Sequence, residues 1–152
     1  MTTKTYQPGP IDHGHIAGET ATLVALEAPE AAHDYLLELT WPDDREACWV
    51  LYLDTKHRVL TAEMASLGSL DHTFMSPREL LRGAMLVPNC AAIILAHNHP
   101  SGDPEPSKDD AAVTRRVTRA ADLVGIDLLD HLILGHPTTT AWVSCARRGM
   151  TS

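Results

Sequence analysis

Cysteine is scarce in this chain and falls into no pattern. Cys48, Cys90 and Cys145 are odd in number, widely separated and set in apolar text. That argues against a disulfide framework and against any cysteine-built metal site, and it predicts buried free thiols. Long hydrophobic runs are missing too. No stretch approaches the ~18 apolar residues that a membrane helix needs, and Met1-Thr2-Thr3-Lys4 leads into polar, Pro- and Gly-containing text rather than a signal core. A cytoplasmic protein without membrane association is the expectation. Positive charge is the third shortage. With 12 Lys and Arg against 20 Asp and Glu the net charge is -8, which argues against a broad phosphate-binding surface and against nucleic acid as a partner. Arg115, Arg116 and Arg119 read as a solvated helix face, and Arg147 and Arg148 as a charged tail. Internal repeats and low-complexity segments are absent.

What is present is ordinary globular material. At 152 residues, 44% hydrophobic and 21% charged, the chain suits one domain that buries about two thirds of its unfolded surface. Residues 1–27 carry Pro8, Gly9, Pro10, Gly14 and Gly18 and predict an extended arm, packed locally through Ile16, Leu23, Val24 and Leu26. His13 and His15 form an HxH pair there, but no acid or cysteine follows at helical spacing, so they read as surface histidines. Behind Pro29, the positions Ala32, Tyr35, Leu36 and Leu39 predict an amphipathic helix over 29–39 that Trp41-Pro42 breaks. Residues 46–54 are nearly continuous apolar text after one acid, as in a central strand buried on both faces. A turn at Thr55-Lys56-His57 leads to a second strand over 58–66, and a short third is expected around 68–72. Ser76, Pro77 and Glu79 stand at the cap, first and third positions of a helix whose buried face is Leu80, Leu81, Ala84 and Met85. A strand over 91–96 follows. After Ser107 comes a helix with Val113, Val117, Ala120, Ala121 and Val124 on one side, closed by Gly125. Strand text over 126–129, 131–134 and 140–144 completes a layered α/β domain.

The chemistry gathers in the run from His97 to Asp110. Residues two apart at a strand end point to the same side, so His97 and His99 reach one ion if the extended geometry continues past Ala96. Ser107 is a natural helix cap, and Asp110 in the first turn can complete a tripod. Two neutral imidazoles and a carboxylate suit zinc, which in catalytic sites keeps a fourth position for water. Asp109 is turned about 100° around the helix and is a poorer donor. His131, beside Asp130, reads as a core histidine or a partner supporting a ligand. His57, His72 and His136 lie in turns.

The spacing His97-x-His99, seven residues, Ser107-x-x-Asp110 resembles the JAMM signature of the JAB/MPN metallopeptidases. The wording from His97 to Ser107, with Pro77-Arg78-Glu79 upstream and the run from Leu129 to Gly135 downstream, is similar to the RadC-type branch of that family. The resemblance covers roughly residues 44–149. It implies a JAB/MPN, cytidine-deaminase-like fold, a mixed β-sheet flanked by helices, over 28–152 behind the arm of 1–27. It also implies one Zn2+ ion on His97, His99 and Asp110, and hydrolysis of peptide or isopeptide bonds in a peptide or protein substrate by a metal-activated water. The family's base is a glutamate at the start of an earlier core strand. Glu46 fits by position, with Glu63 on the second strand as its competitor. The family's serine, here Ser107, hydrogen-bonds the oxyanion or the metal water. Capping is its plainer role, and the two tasks are expected to compete for one hydroxyl hydrogen.

Two rival functions stand beside hydrolysis. The association of RadC with DNA repair suggests DNA binding or a nuclease, and His97-Asn98-His99 even spells HNH. Nucleases of that name disperse their three residues over a ββα unit, however, and no stretch here resembles a helix-hairpin-helix segment. A non-catalytic MPN scaffold would lack the ligand set present here. One departure from the family lies near the end, where an acid usually stands two residues before the closing glycine and this chain has Arg147-Arg148-Gly149.

Overall fold

Strands form where apolar side chains run without a break, and the runs buried on both faces end up at the centre of the sheet. The computed structural model describes residues 23–68, 75–135 and 140–152. In chain order the elements are α1 (Pro29–Leu37), β1 (Ala47–Leu53), β2 (Val59–Leu67), α2 (Pro77–Leu86), β3 (Ala92–Asn98), α3 (Lys108–Leu123), β4 (Asp127–Leu134) and β5 (Trp142–Ser144). They build one mixed sheet in the order β2-β1-β3-β4-β5. The β3–β4 pair is parallel and bridged by α3, while the other pairs are antiparallel. Cys48, Val50, Tyr52, Ile93 and Leu95 pack under α2 and α3; Leu51, Leu53, Ile94, Ala96, Leu132 and Leu134 belong to the core on the α1 side. The expected mixed sheet between helices is what the chain forms.

Local chemistry sets the helix starts. Ser76 Oγ accepts from the Glu79 N–H at 3.4 Å with Pro77 in the first turn, and Ser107 and Asp110 form a full capping box at the head of α3. Other boundaries answer to tertiary contacts. α1 stops at Leu37 rather than 39, because the Trp41 indole donates to the Leu36 carbonyl at 2.8 Å and takes an acceptor of the last turn. Met85, expected inside, is 62% exposed. Gly83 holds the buried place instead, since a Cβ there would stand 1.8 Å from the Tyr52 hydroxyl. Val124 is likewise exposed rather than packed.

The expected pair of strands over 126–134 is one strand with a bulge. Ile93 pairs with Leu128 but Ile94 pairs with Asp130, so Leu129 is the extra residue. Of the short third strand only Gly68 is described, and it is not in a strand; its N–H donates to the Glu46 carbonyl at 2.8 Å. Residues 1–22, with His13 and His15, and His72 and His136 lie outside the described residues. Within the arm, Ala25 bridges to Arg58 and Leu26 is buried. All three cysteines are free, Cys48 and Cys145 buried and Cys90 half-buried. Among the described residues, no helix is long and apolar enough to cross a membrane.

Candidate metal centre

The end of β3 and the start of α3 meet at one corner of the sheet. β3 stays extended through Asn98, and the His99 N–H donates to the Leu134 carbonyl at 2.7 Å, which carries the extended geometry one residue further. A loop that turns at Gly102, where φ is +88°, then returns the chain to Ser107. There the Ser107 N–H donates to Asp110 Oδ2 at 2.8 Å and the Asp110 N–H donates to Ser107 Oγ at 3.0 Å. The capping box therefore locks the carboxylate as well as the helix.

Three donor groups converge as a result. His97 Nε2 lies 3.0 Å from His99 Nε2 and 3.2 Å from Asp110 Oδ1, and His99 Nε2 lies 3.3 Å from Asp110 Oδ2. His97 is fully buried, Asp110 nearly so, and His99 half-buried. Burial opposes the charge on Asp110, but the two imidazoles beside it, with the Ser107 N–H, outweigh it and hold the carboxyl well below the usual range. Burial also opposes a charge on His99, yet Asp110 and the Asp103 carbonyl outweigh it and raise its affinity for a proton. The second nitrogen of each ring is engaged elsewhere. His99 Nδ1 donates to the Asp103 carbonyl at 2.8 Å, and His97 Nδ1 meets His131 Nε2 at 2.7 Å.

A metal fits this donor set. Zinc bonds of about 2.0–2.1 Å in a tetrahedron give ligand-to-ligand edges of about 3.3 Å. The two nitrogens stand 3.0 Å apart, His97 lies 3.2 Å from Asp110 Oδ1 and His99 3.3 Å from Asp110 Oδ2, and one ligand atom from each of the three residues lies within 4.8 Å of the others. His97, His99 and Asp110 could thus hold one ion in common.

Glu46 stands just before β1. Cys48 pairs with His97, and alternation puts Glu46 on the same side as Cys48. Its charge is one of the causes that raise His99. The segment around it is held by Asn98, a residue the sequence reading passed over: the Ala47 N–H donates to Asn98 Oδ1 at 2.7 Å, and Asn98 Nδ2 donates to the Arg45 carbonyl at 3.0 Å. Glu63 is differently employed. It pairs with Val50 on the edge strand, accepts from the Tyr52 hydroxyl at 2.7 Å and pairs with Arg82 at 2.7 Å. Ser107 caps through its oxygen, so its hydroxyl hydrogen stays available; the expected competition between capping and donating does not arise. Asp109 is exposed on the first turn of α3. Arg147 pairs with Glu30 at 2.6 Å and Arg148 with Glu105, so the basic pair near the end is tied to carboxylates rather than free.

A further missed residue is Thr114. It is fully buried on the α3 stripe of Asp110, Val117 and Ala121, donates to the Asp110 carbonyl at 2.7 Å and meets His131 Nδ1 at 2.7 Å. Its signal in the sequence was a polar side chain four residues after a ligand, on an otherwise apolar face.

Comparison with known proteins gives a family match over most of the chain. The family model described as "RadC-like JAB domain" matches residues 26–150. A UPF0758 protein of Pseudomonas fluorescens strain Pf0-1 is 39% identical over 131 residues, 86% of this chain and 58% of the relative. One of Desulforudis audaxviator is 46% identical over 110 residues, 72% and 47% of the two chains, and one of Aliivibrio fischeri strain MJ11 is 44% identical over 125 residues, 82% and 54%. The chain spans about half the length of these curated relatives.

Proposed function

The chain belongs to the RadC-like JAB domain family, and from that premise we propose that it is a zinc-dependent hydrolase of peptide or isopeptide bonds. His97, His99 and Asp110 would hold one zinc ion. The observation that carries this reading is the convergence of two imidazole nitrogens 3.0 Å apart on a carboxylate that offers each of them an oxygen at 3.2 and 3.3 Å, a donor set that suits zinc. When bound, the ion supplies a Lewis acid and lowers the pKa of water toward about 7.

The chain's own residues do the rest. Glu46 takes a proton from the attacking water and returns it to the leaving amine, a role that needs a carboxylate held near the corner where the histidines converge. Asn98 supports that position from behind, because it binds the backbone on both sides of Glu46. The Ser107 hydroxyl, with its oxygen already accepting from the helix, offers its hydrogen to the oxyanion that forms on the scissile carbonyl. Glu63 is left to hold Tyr52 and Arg82.

Zinc content and peptide cleavage test the proposal together. Purified protein and its His97→Ala, Asp110→Ala and Glu46→Gln variants are assayed for bound zinc by elemental analysis and for cleavage of a proteome-derived peptide library by mass spectrometry. The expected result is about one zinc per chain in the parent and in Glu46→Gln, zinc lost from the other two, and cleavage in the parent alone. Full zinc in Asp110→Ala would remove the tripod, and cleavage by Glu46→Gln would remove Glu46 as the base.

A further inference from the structure

A neutral imidazole carries one ring hydrogen, and only its bare nitrogen can bind a metal. Which nitrogen of His97 is bare can be worked out from the chain of contacts behind it. A carbonyl oxygen only accepts, so at 2.7 Å the Thr114 hydroxyl gives its single hydrogen to the Asp110 carbonyl. Thr114 Oγ1 can then only accept from His131 Nδ1 at 2.7 Å, which places the His131 hydrogen there. His131 is fully buried, and its two ring nitrogens meet a hydroxyl and another imidazole rather than a carboxylate that would balance a charge, so the ring is neutral. Its Nε2 is therefore bare and accepts at 2.7 Å from His97 Nδ1. In a neutral His97 this leaves Nε2, the atom that faces His99 and Asp110, without a hydrogen.

We propose that Thr114 and His131 are positioning residues for the metal, fixing the His97 hydrogen on Nδ1 so that Nε2 is presented to the ion. The inference rests on the reading of His97, His99 and Asp110 as zinc ligands. Two features of the fold support it. The contacts form a closed ring that leaves the Asp110 carboxylate, passes through His97, His131 and Thr114, and returns to the Asp110 carbonyl, so that two ligands share one support. The bulge at Leu129 is the second. Leu128 packs on the α3 side, and unbroken alternation would put Asp130 there and His131 on the α1 side; the extra residue brings His131 back opposite Leu95, beneath α3. Metal-binding histidines generally donate their second nitrogen to an acceptor that sets the tautomer. Here the acceptor is another imidazole, and its own tautomer is set by a threonine.

Thr114→Val removes the root of this chain. His131 then gains by moving its hydrogen to Nε2, where it donates to His97 Nδ1 and leaves the His97 hydrogen on the metal-facing atom. Zinc binding by full-length parent, Thr114→Val and Thr114→Ser is measured by competition with a chromophoric chelator, and the His97 tautomer is read from long-range 1H–15N NMR of the zinc-free proteins. The expected result is zinc affinity about 10- to 100-fold weaker in Thr114→Val, with His97 shifted toward hydrogen on Nε2. Thr114→Ser keeps the parent affinity and tautomer. If Thr114→Val binds zinc as tightly as the parent, or binds it less tightly with the His97 tautomer unchanged, the positioning role is wrong while the zinc reading stands. A parent protein that binds no zinc overturns the zinc reading and this inference with it.

Discussion

Replacing Asp110 by Asn asks what three converging donor groups do to a protein that holds no cation. The amide oxygen of Asn can still accept from the Ser107 N–H, so the head of α3 keeps its capping box. In chelator at pH 8.5, the parent brings two imidazole nitrogens and a carboxylate within 3.0–3.3 Å of one another. The Asn amide N–H can donate to one of those nitrogens, a net gain of about 1 kcal/mol. At pH 5.5 the sign reverses. His99 is raised, so its contribution is complete below the ordinary 6.5 and fades as pH climbs through the higher folded value. Asp110 is depressed, so its contribution is present above the ordinary 3.8 and is lost as pH falls. Between those limits the charged pair is at full strength, and Asn gives up a charge-assisted bond of about 2 kcal/mol. Zinc at a hundred times its Kd adds about 2.7 kcal/mol to the parent and little to the variant. Urea unfolding at both pH values in chelator, and with zinc at pH 8.5, measures all three quantities. The reasoning fails if the variant is less stable than the parent at both pH values, or if zinc stabilises the two equally.

Substitutions at four other positions separate the remaining roles. Glu63→Gln should lower stability to urea by about 1–2 kcal/mol, because Tyr52 and Arg82 lose a charged partner, while zinc content and cleavage stay unchanged; lost cleavage would reinstate Glu63 as the base. Asn98→Ala should reduce cleavage by about tenfold or more through displacement of Glu46 with zinc affinity kept, and equal loss of both would show that Asn98 acts on the histidines instead. Ser107→Asp retains a capping oxygen but has no hydrogen to give, so helix stability and zinc should persist while cleavage falls, and Ser107→Thr should keep all three; an active Ser107→Asp would leave Ser107 with capping alone. Asp54 is depressed to about 2 by the Arg58 side chain first and the Arg58 and Lys56 N–H groups after it. Its contribution is present above 3.8 and lost as pH falls toward 2, so Asp54→Asn should flatten the acid limb of the stability curve over that range, and an unchanged limb would contradict it.

What was legible in the sequence was the part decided by near neighbours. Ser76, Pro77 and Ser107 announce helix starts because a cap is satisfied within four residues, and the three donor residues are legible because a strand end and a helix start fix where their side chains emerge. What was hidden depends on another element's side chain. Gly83 is inside because Tyr52 of β1 needs the room, which leaves Met85 outside. His33 is buried because its ring stacks on Trp142 of β5 at 4.9 Å. The bulge was written as two separate strand texts, and no local rule says that such a pair is one strand with an extra residue. Asn98 was eclipsed by the histidines on either side, although its amide has enough donors and acceptors to hold the chain on both sides of Glu46.

The first turn of α3 explains why so much depends on one residue. Asp110 stands where backbone N–H groups point at it and the helix dipole favours a negative charge. Its side chain closes the capping box, and its carbonyl receives Thr114 one turn later. The bonds that start the helix therefore aim the carboxylate at the histidines, and the next turn supports the histidine it meets. The helix cap and the donor set share the same bonds. A change at Asp110 must then show in unfolding measurements even without metal, whereas Glu46→Gln should stop cleavage with the zinc content kept.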